Sequence, residues 1–277
     1  MEYKLKKKEI IAPEIYDLIF EAPQIAQHAK AGQFVIIRVD EKGERIPLTI
    51  AQTSEKHIRL IVQVVGKSTE KLSKVPEGGR VIDITGPLGN PSEIDNYGNV
   101  LIIGGGVGIA AILPIVKALY EAGNKTTVII GARSKKFLIL KEEISEYSHN
   151  LIVTTDDGSY GMKGFVTDAF KTLINKGKNF KVAWAVGPTI MMENCSKVAK
   201  EIDIPIWTSL NPIMVDGTGM CGGCRVEVNG EIKFACVDGP EFDGRYVNWD
   251  DLRKRLQQYR DLEIMARKSK DVKGDML

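Results

Sequence analysis

Short runs of apolar residues alternating with polar ones fill the first part of the chain and predict β-strands. Gly and Pro lie at the joints between successive runs. The runs are KLKKKEII, EIYDLIFEA, GQFVIIRV, RIPLTIAQT, HIRLIVQVV and RVIDITG. Closely spaced strands joined by turns are typical of a small closed sheet. We therefore predict an antiparallel β-barrel over residues 1–95.

The pattern changes after residue 95, where continuous apolar runs alternate with segments of helical length. The run NVLIIGGG is followed by VGIAAILPIVKALYEAG, which has the length of a helix and ends at Gly123. Three further apolar runs, TTVIIGAR, NLIVTTDDG and VAWAVGP, are interpreted as buried strands with helices between them. This alternation is typical of a parallel, doubly wound sheet. We predict such an α/β domain over residues 96–208.

Composition and charge narrow the class of protein. The chain has 277 residues, of which 43% are hydrophobic and 27% charged, as in soluble globular proteins. A formal net charge of +2 without a basic block argues against nucleic-acid binding. The first residues have no apolar signal-peptide core, and glycines break the longest apolar run, so no membrane span is expected. We expect a cytoplasmic protein.

Three of the four cysteines, Cys221, Cys224 and Cys236, lie in the segment DGTGMCGGCRVEVNGEIKFAC, residues 216–236. In a reducing compartment such a C-x2-C pair more often binds a metal or is redox-active than forms a structural disulfide. Three thiolates in a glycine-rich loop suit either Zn²⁺ or a [2Fe–2S] cluster. We predict a small iron–sulfur domain over residues 209–248, with zinc as the alternative.

The fourth ligand of such a cluster is not a cysteine of the same loop. When the plant-type spacing C-x4-C-x2-C…C is laid on the chain, Cys221, Cys224 and Cys236 take the last three places and Asp216 the first. A carboxylate carries the same unit charge as a thiolate and is a harder donor to iron. In the alternative interpretation, Asp216 and Gly217 form only a turn. Cys195, in the helical segment MMENCSKVAK, is interpreted as a buried structural thiol.

Four glycines, Gly104, Gly105, Gly106 and Gly108, lie between the first strand of the α/β region and its helix. Glycine there permits a tight turn and lets backbone N–H groups approach a pyrophosphate at the helix N-terminus. The next strand ends in Ala132 and Arg133, with no acidic residue at the usual ribose-binding place. Arg133, Lys135 and Lys136 could hold a 2′-phosphate, which favours NADP, or could form a solvated loop.

The segments RIPLT, residues 45–49, and VGKST, residues 65–69, are candidates for a second cofactor site. Arg45 could neutralise a diphosphate, and the Thr49 hydroxyl could reach a ring nitrogen. The segment GKST is expected to open a helix, so Gly66, Ser68 and Thr69 could present donors to phosphate. Each segment alone is more often turn and cap chemistry than a cofactor site.

In this order, R-x-P-L-T, G-K-S-T, GGGVGIA and VGP-x-x-MM resemble the ferredoxin–NADP reductase superfamily. The resemblance covers the barrel and the α/β region, and implies FAD and a nicotinamide nucleotide. The implied FAD-binding residues are Arg45, Pro47, Leu48, Thr49, Val64, Gly66, Ser68 and Thr69. The implied nicotinamide-binding residues are Gly104, Gly105, Gly106, Val107, Gly108, Ala110, Asp156, Asp157, Gly158, Gly187 and Pro188.

The cysteine-bearing region is similar to the electron-transfer branch of that superfamily. The branch includes subunits of dihydroorotate dehydrogenase, of sulfhydrogenases and of NADH-dependent reduced ferredoxin:NADP+ oxidoreductase, also called sulfide dehydrogenase. The segment MVDGTGMCGGCRV is most similar to the small subunit of the last, whereas dihydroorotate dehydrogenase subunits carry cysteine at the place of Asp216. That small subunit is expected to use NAD(H), against the interpretation of Arg133, so the nucleotide is left as NAD(P)H.

This resemblance implies an oxidoreductase subunit in a heterodimer. A hydride would move between NAD(P)H and FAD, and single electrons would pass through a [2Fe–2S] cluster to a larger flavin- and iron–sulfur-bearing partner of glutamate-synthase type. Ferredoxin would be reached indirectly, and electron bifurcation stays open. Two further hypotheses are an electron-transfer subunit of dihydroorotate dehydrogenase or of a hydrogenase, and a zinc-stabilised nucleotide-sensing regulator without turnover.

No nucleophile–base constellation is present, so no catalytic side chain is predicted; in hydride and electron transfer the cofactors carry the chemistry. The final segment, residues 249–277, is predicted to form a terminal helix and tail. Leu252, Leu256, Tyr259 and Leu262 form one apolar stripe on this helix. The stripe could pack on its own domain or dock a partner subunit.

Overall fold

A computed structural model describes residues 3–263 and residue 265. The first region forms one antiparallel sheet with the strand order β6-β1-β2-β5-β4-β3-β7. Its elements are β1 (Tyr3–Ala12), β2 (Ile15–Glu21), α1 (Pro23–His28), β3 (Phe34–Arg38), β4 (Ile46–Thr53), β5 (His57–Gln63), α2 (Lys67–Lys74), β6 (Arg80–Val81) and β7 (Asp83–Leu88). The sheet curls into a near-closed barrel around Leu5, Leu18 and Phe20, which are fully buried. The predicted barrel is confirmed.

One predicted strand of the barrel is divided in two. The run RVIDITG forms β6 and β7 on either side of Ile82. Strand β6 pairs with β1, and β7 pairs with β3, at opposite ends of the strand order. The chain therefore passes from one edge of the sheet to the other within this run, which nearly closes the barrel.

The second region is a parallel sheet with helices on both faces, as predicted. The strand order is β11-β10-β9-β8-β12-β13, and each neighbouring pair is parallel. The elements are β8 (Asn99–Gly105), α3 (Gly108–Glu121), β9 (Lys125–Ala132), a 3-10 turn (Lys135–Phe137), α4 (Lys141–Glu146), β10 (Asn150–Thr155), β11 (Met162–Lys163), α5 (Val166–Asn175), β12 (Val182–Val186), α6 (Thr189–Glu201) and β13 (Ile206–Ser209). The central strands are buried because both sheet faces are covered.

The cysteine-bearing region packs against both larger regions. It contains β14 (Arg225–Val228), β15 (Glu231–Phe234), β16 (Glu241–Asp243) and α7 (Trp249–Leu256). Strands β14 and β15 form a hairpin, whereas β16 pairs antiparallel with β13 at the edge of the parallel sheet. The domain limits 1–95, 96–208, 209–248 and 249–277 stay predictions.

The terminal helix differs from the prediction. Helix α7 ends at Leu256, residues 257–259 form a turn, and helical residues resume at 260. Leu252 is buried, but Tyr259 and Leu262 are 45% and 62% exposed, because the turn breaks the apolar stripe. The predicted tail, residue 264 and residues 266–277, lies outside the described residues. Within the described part, no helix has both the length and the apolar character needed to cross a bilayer.

The barrel and the parallel sheet share an interface built from apolar side chains and one ion-pair group. Ala51 and Ile61 of the barrel pack in one cluster with Ile112 of α3. Arg59 lies 2.8 Å from a carboxylate oxygen of Asp17 and 2.6 Å from one of Glu143 on α4. The arginine thus joins two strands of the barrel to a helix of the second region.

We expect Arg59→Ala to lower the free energy of unfolding by about 2–3 kcal/mol, because it leaves the buried Asp17 carboxylate without its cation. The measurement is urea unfolding followed by circular dichroism. Lys7→Ala, which removes an exposed pair with Glu9, is the control and should leave the free energy of unfolding almost unchanged. Equal losses for the two variants would contradict the role given to Arg59.

The carboxyl group of Glu241 lies where the barrel, the segment after β7 and strand β16 meet. The Ser92 hydroxyl donates a 2.7 Å hydrogen bond to Glu241 Oε1. A side chain at Gly32 of the barrel would collide with the Ser92 hydroxyl. Burial raises the pKa of Glu241 to about 7.

The raised pKa of Glu241 predicts a pH-dependent stability. Because the folded state favours the protonated carboxyl, its contribution to stability is present below the ordinary pKa of 4.5 and is lost as pH rises through about 7. Wild type should therefore lose about 1–3 kcal/mol of unfolding free energy relative to Glu241→Gln across that window. Urea unfolding of both proteins at a series of pH values checks this, and parallel stability curves would contradict it.

Candidate functional site

Strand β4 presents the residues predicted to line the flavin. Pro47, Leu48 and Thr49 pair with Ile36, Val35 and Phe34 of β3. Their side chains are partly exposed. Within the part of the chain that the structure describes, no hydrogen bond engages the Thr49 hydroxyl. That hydroxyl is available to a cofactor.

Arg45, directly before β4, is held by three groups. Its Nη1 donates to Asp83 Oδ2 at 3.1 Å, and its Nη2 donates to Thr85 Oγ1 at 3.3 Å. Its Nε donates to the carbonyl of Val215 at 2.9 Å. Since a guanidinium has five N–H groups, two are left for a further acceptor such as a phosphate. The contact with Val215 was not predicted, because the two residues are 170 positions apart.

The start of α2 shows cap chemistry beside open space. The Thr69 hydroxyl accepts hydrogen bonds from the amides of Val65 and Gly66, both at 3.0 Å, and the Ser68 hydroxyl donates to Glu44. Both hydroxyls therefore serve local structure, as turn and cap chemistry requires. A Cβ at Gly66 would meet nothing within 4 Å, so a phosphate has room at this helix start. The amide of Val64 donates to the carbonyl of Glu14 at 2.8 Å.

The glycine turn between β8 and α3 is shaped for close backbone approach. Gly106 has φ +57°, and a Cβ there would meet nothing within 4 Å. A Cβ at Gly108 would lie 2.4 Å from the carbonyl oxygen of Val186, so only glycine fits against the end of β12. At Gly105 it would lie 2.3 Å from the sulfur of Met191. The open side of this turn can receive an anionic group at the N-terminus of α3.

The predicted nucleotide-binding residues converge at one edge of the parallel sheet. Gly105 at the end of β8 pairs with Gly131 of β9. The Asp156 amide donates to Ala132, and the Asp157 amide donates to Arg133, at 3.1 and 3.3 Å. The remaining members lie at the end of β8, follow β10, open α3 or connect β12 to α6, and they are Gly104, Gly158, Val107, Ala110, Gly187 and Pro188. Ligands of such sheets bind at the carboxyl ends of the strands, where these residues lie.

The loop after β9 carries exposed positive charge. The Arg133 guanidinium lies 4.7 Å from the centre of the Phe137 ring, and Lys136 Nζ lies 5.2 Å from it. Lys135 Nζ lies 5.6 Å from the Tyr160 ring. Over residues 3–263, no carboxylate pairs with Arg133. Aromatic rings contact these cations, and no salt bridge to a carboxylate of the described residues neutralises them.

We expect Arg133→Glu to lower the NADPH/NADH ratio of kcat/KM by about tenfold or more, because it replaces a phosphate-binding cation with a repelling anion. The measurement is nucleotide oxidation with an artificial electron acceptor. Lys171→Glu, on the exposed side of α5, makes the same charge change away from the site and should leave the ratio unchanged. If Arg133→Glu left the NADPH/NADH ratio of kcat/KM unchanged, the loop would be a solvated surface loop that does not contact the 2′-phosphate.

The three clustered cysteines are divided between the interior and the surface. Cys224 and Cys236 are buried with their sulfur atoms 3.2 Å apart, whereas Cys221 is exposed and its sulfur accepts the Gly223 amide at 3.5 Å. The Gly219 amide hydrogen-bonds Cys236. No set of three or more His, Cys, Asp or Glu side chains is arranged around a metal position among the described residues. The structure thus brings two predicted ligands into contact and places the other two in the loop beside them.

Asp216 closes that loop. Its Oδ1 accepts the Thr218 amide at 2.9 Å, and its Oδ2 accepts the Cys221 amide at 2.8 Å. These hydrogen bonds hold the pKa of Asp216 below its ordinary value, and the one from Thr218 has the larger effect. Burial and the contact with Cys224 raise the pKa of the Cys236 thiol to about 12, and the charge of Asp216 adds to this.

The residues of the loop fit an iron–sulfur cluster by their chemistry. The carboxylate of Asp216 forms the turn and keeps further lone pairs that a metal could use. Two thiols already touch, and backbone amides point at the sulfurs of Cys221 and Cys236, which is how proteins stabilise cluster sulfur. Cys195 is fully buried in α6 within a different apolar cluster, and burial raises its pKa to about 12.

Comparison with known proteins agrees with this architecture. Residues 211–248 match the family described as the iron–sulfur cluster binding domain of dihydroorotate dehydrogenase B. Residues 102–197 match the oxidoreductase NAD-binding domain. The fold and site therefore define an NAD-binding oxidoreductase of the ferredoxin-reductase fold that carries an iron–sulfur domain.

Relatives at higher identity specify the family. The chain is 58% identical to a homolog of the dihydroorotate dehydrogenase B electron transfer subunit from Thermotoga maritima, over 95% of this chain and 93% of that protein. It is 35% identical to the corresponding subunit of Desulforamulus reducens, over 87% and 95% of the two chains. A chain from the solved structure of the NADH-dependent reduced ferredoxin-NADP oxidoreductase superposes with a TM-score of 0.91 at 56% identity, and 96% of each chain is covered. The chain belongs to the family of electron-transfer subunits related to that of dihydroorotate dehydrogenase B.

Proposed function

We propose that this chain is the small subunit of an NADH-dependent reduced ferredoxin:NADP+ oxidoreductase. In this role it exchanges a hydride between NAD(P)H and FAD and passes single electrons through a [2Fe–2S] cluster to a larger subunit. One observation carries the proposal: a single apolar cluster joins parts of all three proposed cofactor sites. It contains Phe34 of β3, the strand beside β4, together with Met192 of α6 and the cysteines Cys224 and Cys236. Such packing supports a fixed order of nucleotide, flavin and cluster.

The chain's own residues have separable tasks in this function. Thr49 offers its hydroxyl to the flavin ring, while Arg45 and the open start of α2 at Gly66 neutralise and hold the diphosphate. Gly106 and the N-terminus of α3 hold the nucleotide phosphates. FAD, when bound, supplies the conversion between two-electron and one-electron transfer.

The cluster ligands proposed are Asp216, Cys221, Cys224 and Cys236. The three thiolates come from the loop and from the residue that follows the β14–β15 hairpin by a short turn. The Asp216 carboxylate is the proposed fourth ligand. It has the same charge as a fourth thiolate but donates less electron density to iron. The apolar packing around Cys224 and Cys236 restricts water, which also tunes the potential of a cluster.

The proposed partner is a larger flavin- and iron–sulfur-bearing subunit of glutamate-synthase type, with ferredoxin reached through it. The type of partner is proposed from the sequence resemblance, and electron bifurcation is proposed because the solved structure at 56% identity is described as a bifurcating NADH-dependent reduced ferredoxin-NADP oxidoreductase. The second candidate is an electron-transfer subunit of dihydroorotate dehydrogenase, which the match of residues 211–248 favours. We propose a cytoplasmic location, because cysteines spaced to bind a metal are typical of a reducing compartment.

Purification of the untagged protein from its native cells tests these assignments. We expect a yellow-brown protein with bound flavin and iron that oxidises NADH or NADPH with an artificial acceptor. A co-purifying large subunit that links this oxidation to ferredoxin supports the first candidate. A dihydroorotate-oxidising partner would select the second, and a colourless, zinc-containing protein would contradict both.

Variants of Asp216 separate a ligand from a turn residue. Asp216→Asn keeps one of the two oxygens that accept turn amides but removes the anionic donor, so iron should be lost more readily. Asp216→Cys should retain the cluster and lower its midpoint potential, because a thiolate donates more charge to iron. Iron content and a redox titration monitored by electron paramagnetic resonance are the measurements.

Cys195→Ala is the control for these variants and should leave the iron content and potential unchanged, since Cys195 lies in another apolar cluster. If Asp216→Asn and Asp216→Cys both behaved as wild type, the aspartate would be a turn residue alone.

A further inference from the structure

Arg45 connects the barrel to the segment that carries the first proposed cluster ligand. Its Nε donates to the carbonyl of Val215 at 2.9 Å, and Val215 is bonded directly to Asp216. The same guanidinium is fixed on the barrel by Asp83 at 3.1 Å and Thr85 at 3.3 Å, both in β7. The peptide before Asp216 is therefore tied to a rigid part of the barrel.

A second contact presses the same turn onto the barrel. Gly217 has φ +79°, and a Cβ there would lie 2.7 Å from Ile36 and 2.8 Å from Leu88. Neither the backbone conformation nor the space admits another residue. Asp216 is thus held between an arginine hydrogen bond on one side and a tightly packed glycine on the other.

The hydrogen bonds of the turn also fix the position of Cys221. The Asp216 carboxylate accepts the amides of Thr218 and Cys221, so a shift of Val215 would move the first cysteine of the loop as well. The arginine also brings a positive charge to this loop. A cation near an iron–sulfur cluster favours the reduced form, which carries one more negative charge.

We infer that Arg45 is a positioning residue for the cluster, in addition to its proposed contact with the flavin diphosphate. This inference rests on the proposed function, since it requires FAD on β4 and a cluster in the cysteine loop. The two N–H groups that remain on the guanidinium make no hydrogen bond to a described residue. One side chain therefore holds the cluster loop while binding phosphate, and it couples the two cofactor sites.

The test compares purified Arg45→Ala, Arg45→Lys and Asp83→Asn with wild type. The measurements are FAD content, the resonance spectrum and midpoint potential of the cluster, and the rate of iron release to a chelator. We expect Arg45→Ala to release iron about tenfold faster, as the loss of one charge-assisted hydrogen bond predicts, and to lower the midpoint potential.

Each further variant isolates one element of the inference. Arg45→Lys keeps the charge but has no planar fork, so the potential should recover more than the rate of iron release. Asp83→Asn weakens the anchor while it leaves the arginine in place, so a smaller increase in the rate of iron release is expected. The midpoint potential should not fall in this variant, because it removes a negative charge that pairs with Arg45. Arg59→Ala removes another ion-paired arginine of the barrel that does not touch the loop, and it should leave the cluster spectrum unchanged.

The outcomes distinguish this inference from the proposed function. If Arg45→Ala lost FAD while the cluster's potential, spectrum and iron release stayed as in wild type, the positioning role would be overturned. The same holds if wild type stripped of FAD showed all the changes of Arg45→Ala, because the effect would then belong to the flavin. Absence of iron and flavin from wild type would instead overturn the proposed function.

Discussion

The packing of the cysteine-bearing region against strand β3 is the constraint on which the rest of the structure depends. Phe34 and Ile36 of β3 lie in one apolar cluster with Cys224, Cys236 and Met192. The other neighbour of β3 is β4, which presents Thr49. A single buried layer thus fixes the cysteine loop relative to the strand expected to hold the flavin, without a flexible linker between them. Electron transfer over short distances needs this kind of rigidity.

Polar contacts complement the apolar layer by fixing the orientation of the regions. Arg59 links two barrel strands to α4, and Glu241 of β16 accepts a hydrogen bond from Ser92 in the segment after β7. An apolar interface alone is non-directional, so small rotations would cost little. Buried hydrogen bonds and ion pairs are lost on rotation, and their loss is expensive. The orientation of the nicotinamide edge towards the barrel therefore depends on these few side chains.

The sequence predicted those parts of the fold that follow from local pattern. Alternating runs predicted the barrel, and continuous apolar runs with Gly104 to Gly108 predicted the nucleotide turn, because both signals lie within a few residues. The division of RVIDITG into β6 and β7 was missed, since strand pattern does not reveal which neighbour each half pairs with. The break of the terminal helix after Leu256 was missed because the apolar stripe continues through Tyr259 and Leu262 in the sequence alone. The contact of Arg45 with Val215 is invisible to any local pattern, as it joins residues 170 positions apart.

The two interpretations of Asp216, turn residue and cluster ligand, are compatible for a physical reason. A carboxylate has two oxygens, and each can accept an amide hydrogen bond and still keep a lone pair. Asp216 uses one oxygen for Thr218 and the other for Cys221, so both oxygens take part in the turn. A cysteine at the same place has one sulfur, which is a weak acceptor, and it would leave the turn to Gly217 and to the hydrogen bond between Arg45 and Val215. The aspartate therefore supports the turn through its two amide hydrogen bonds, whereas a thiolate ligand at that place would depend on the contacts with the barrel instead.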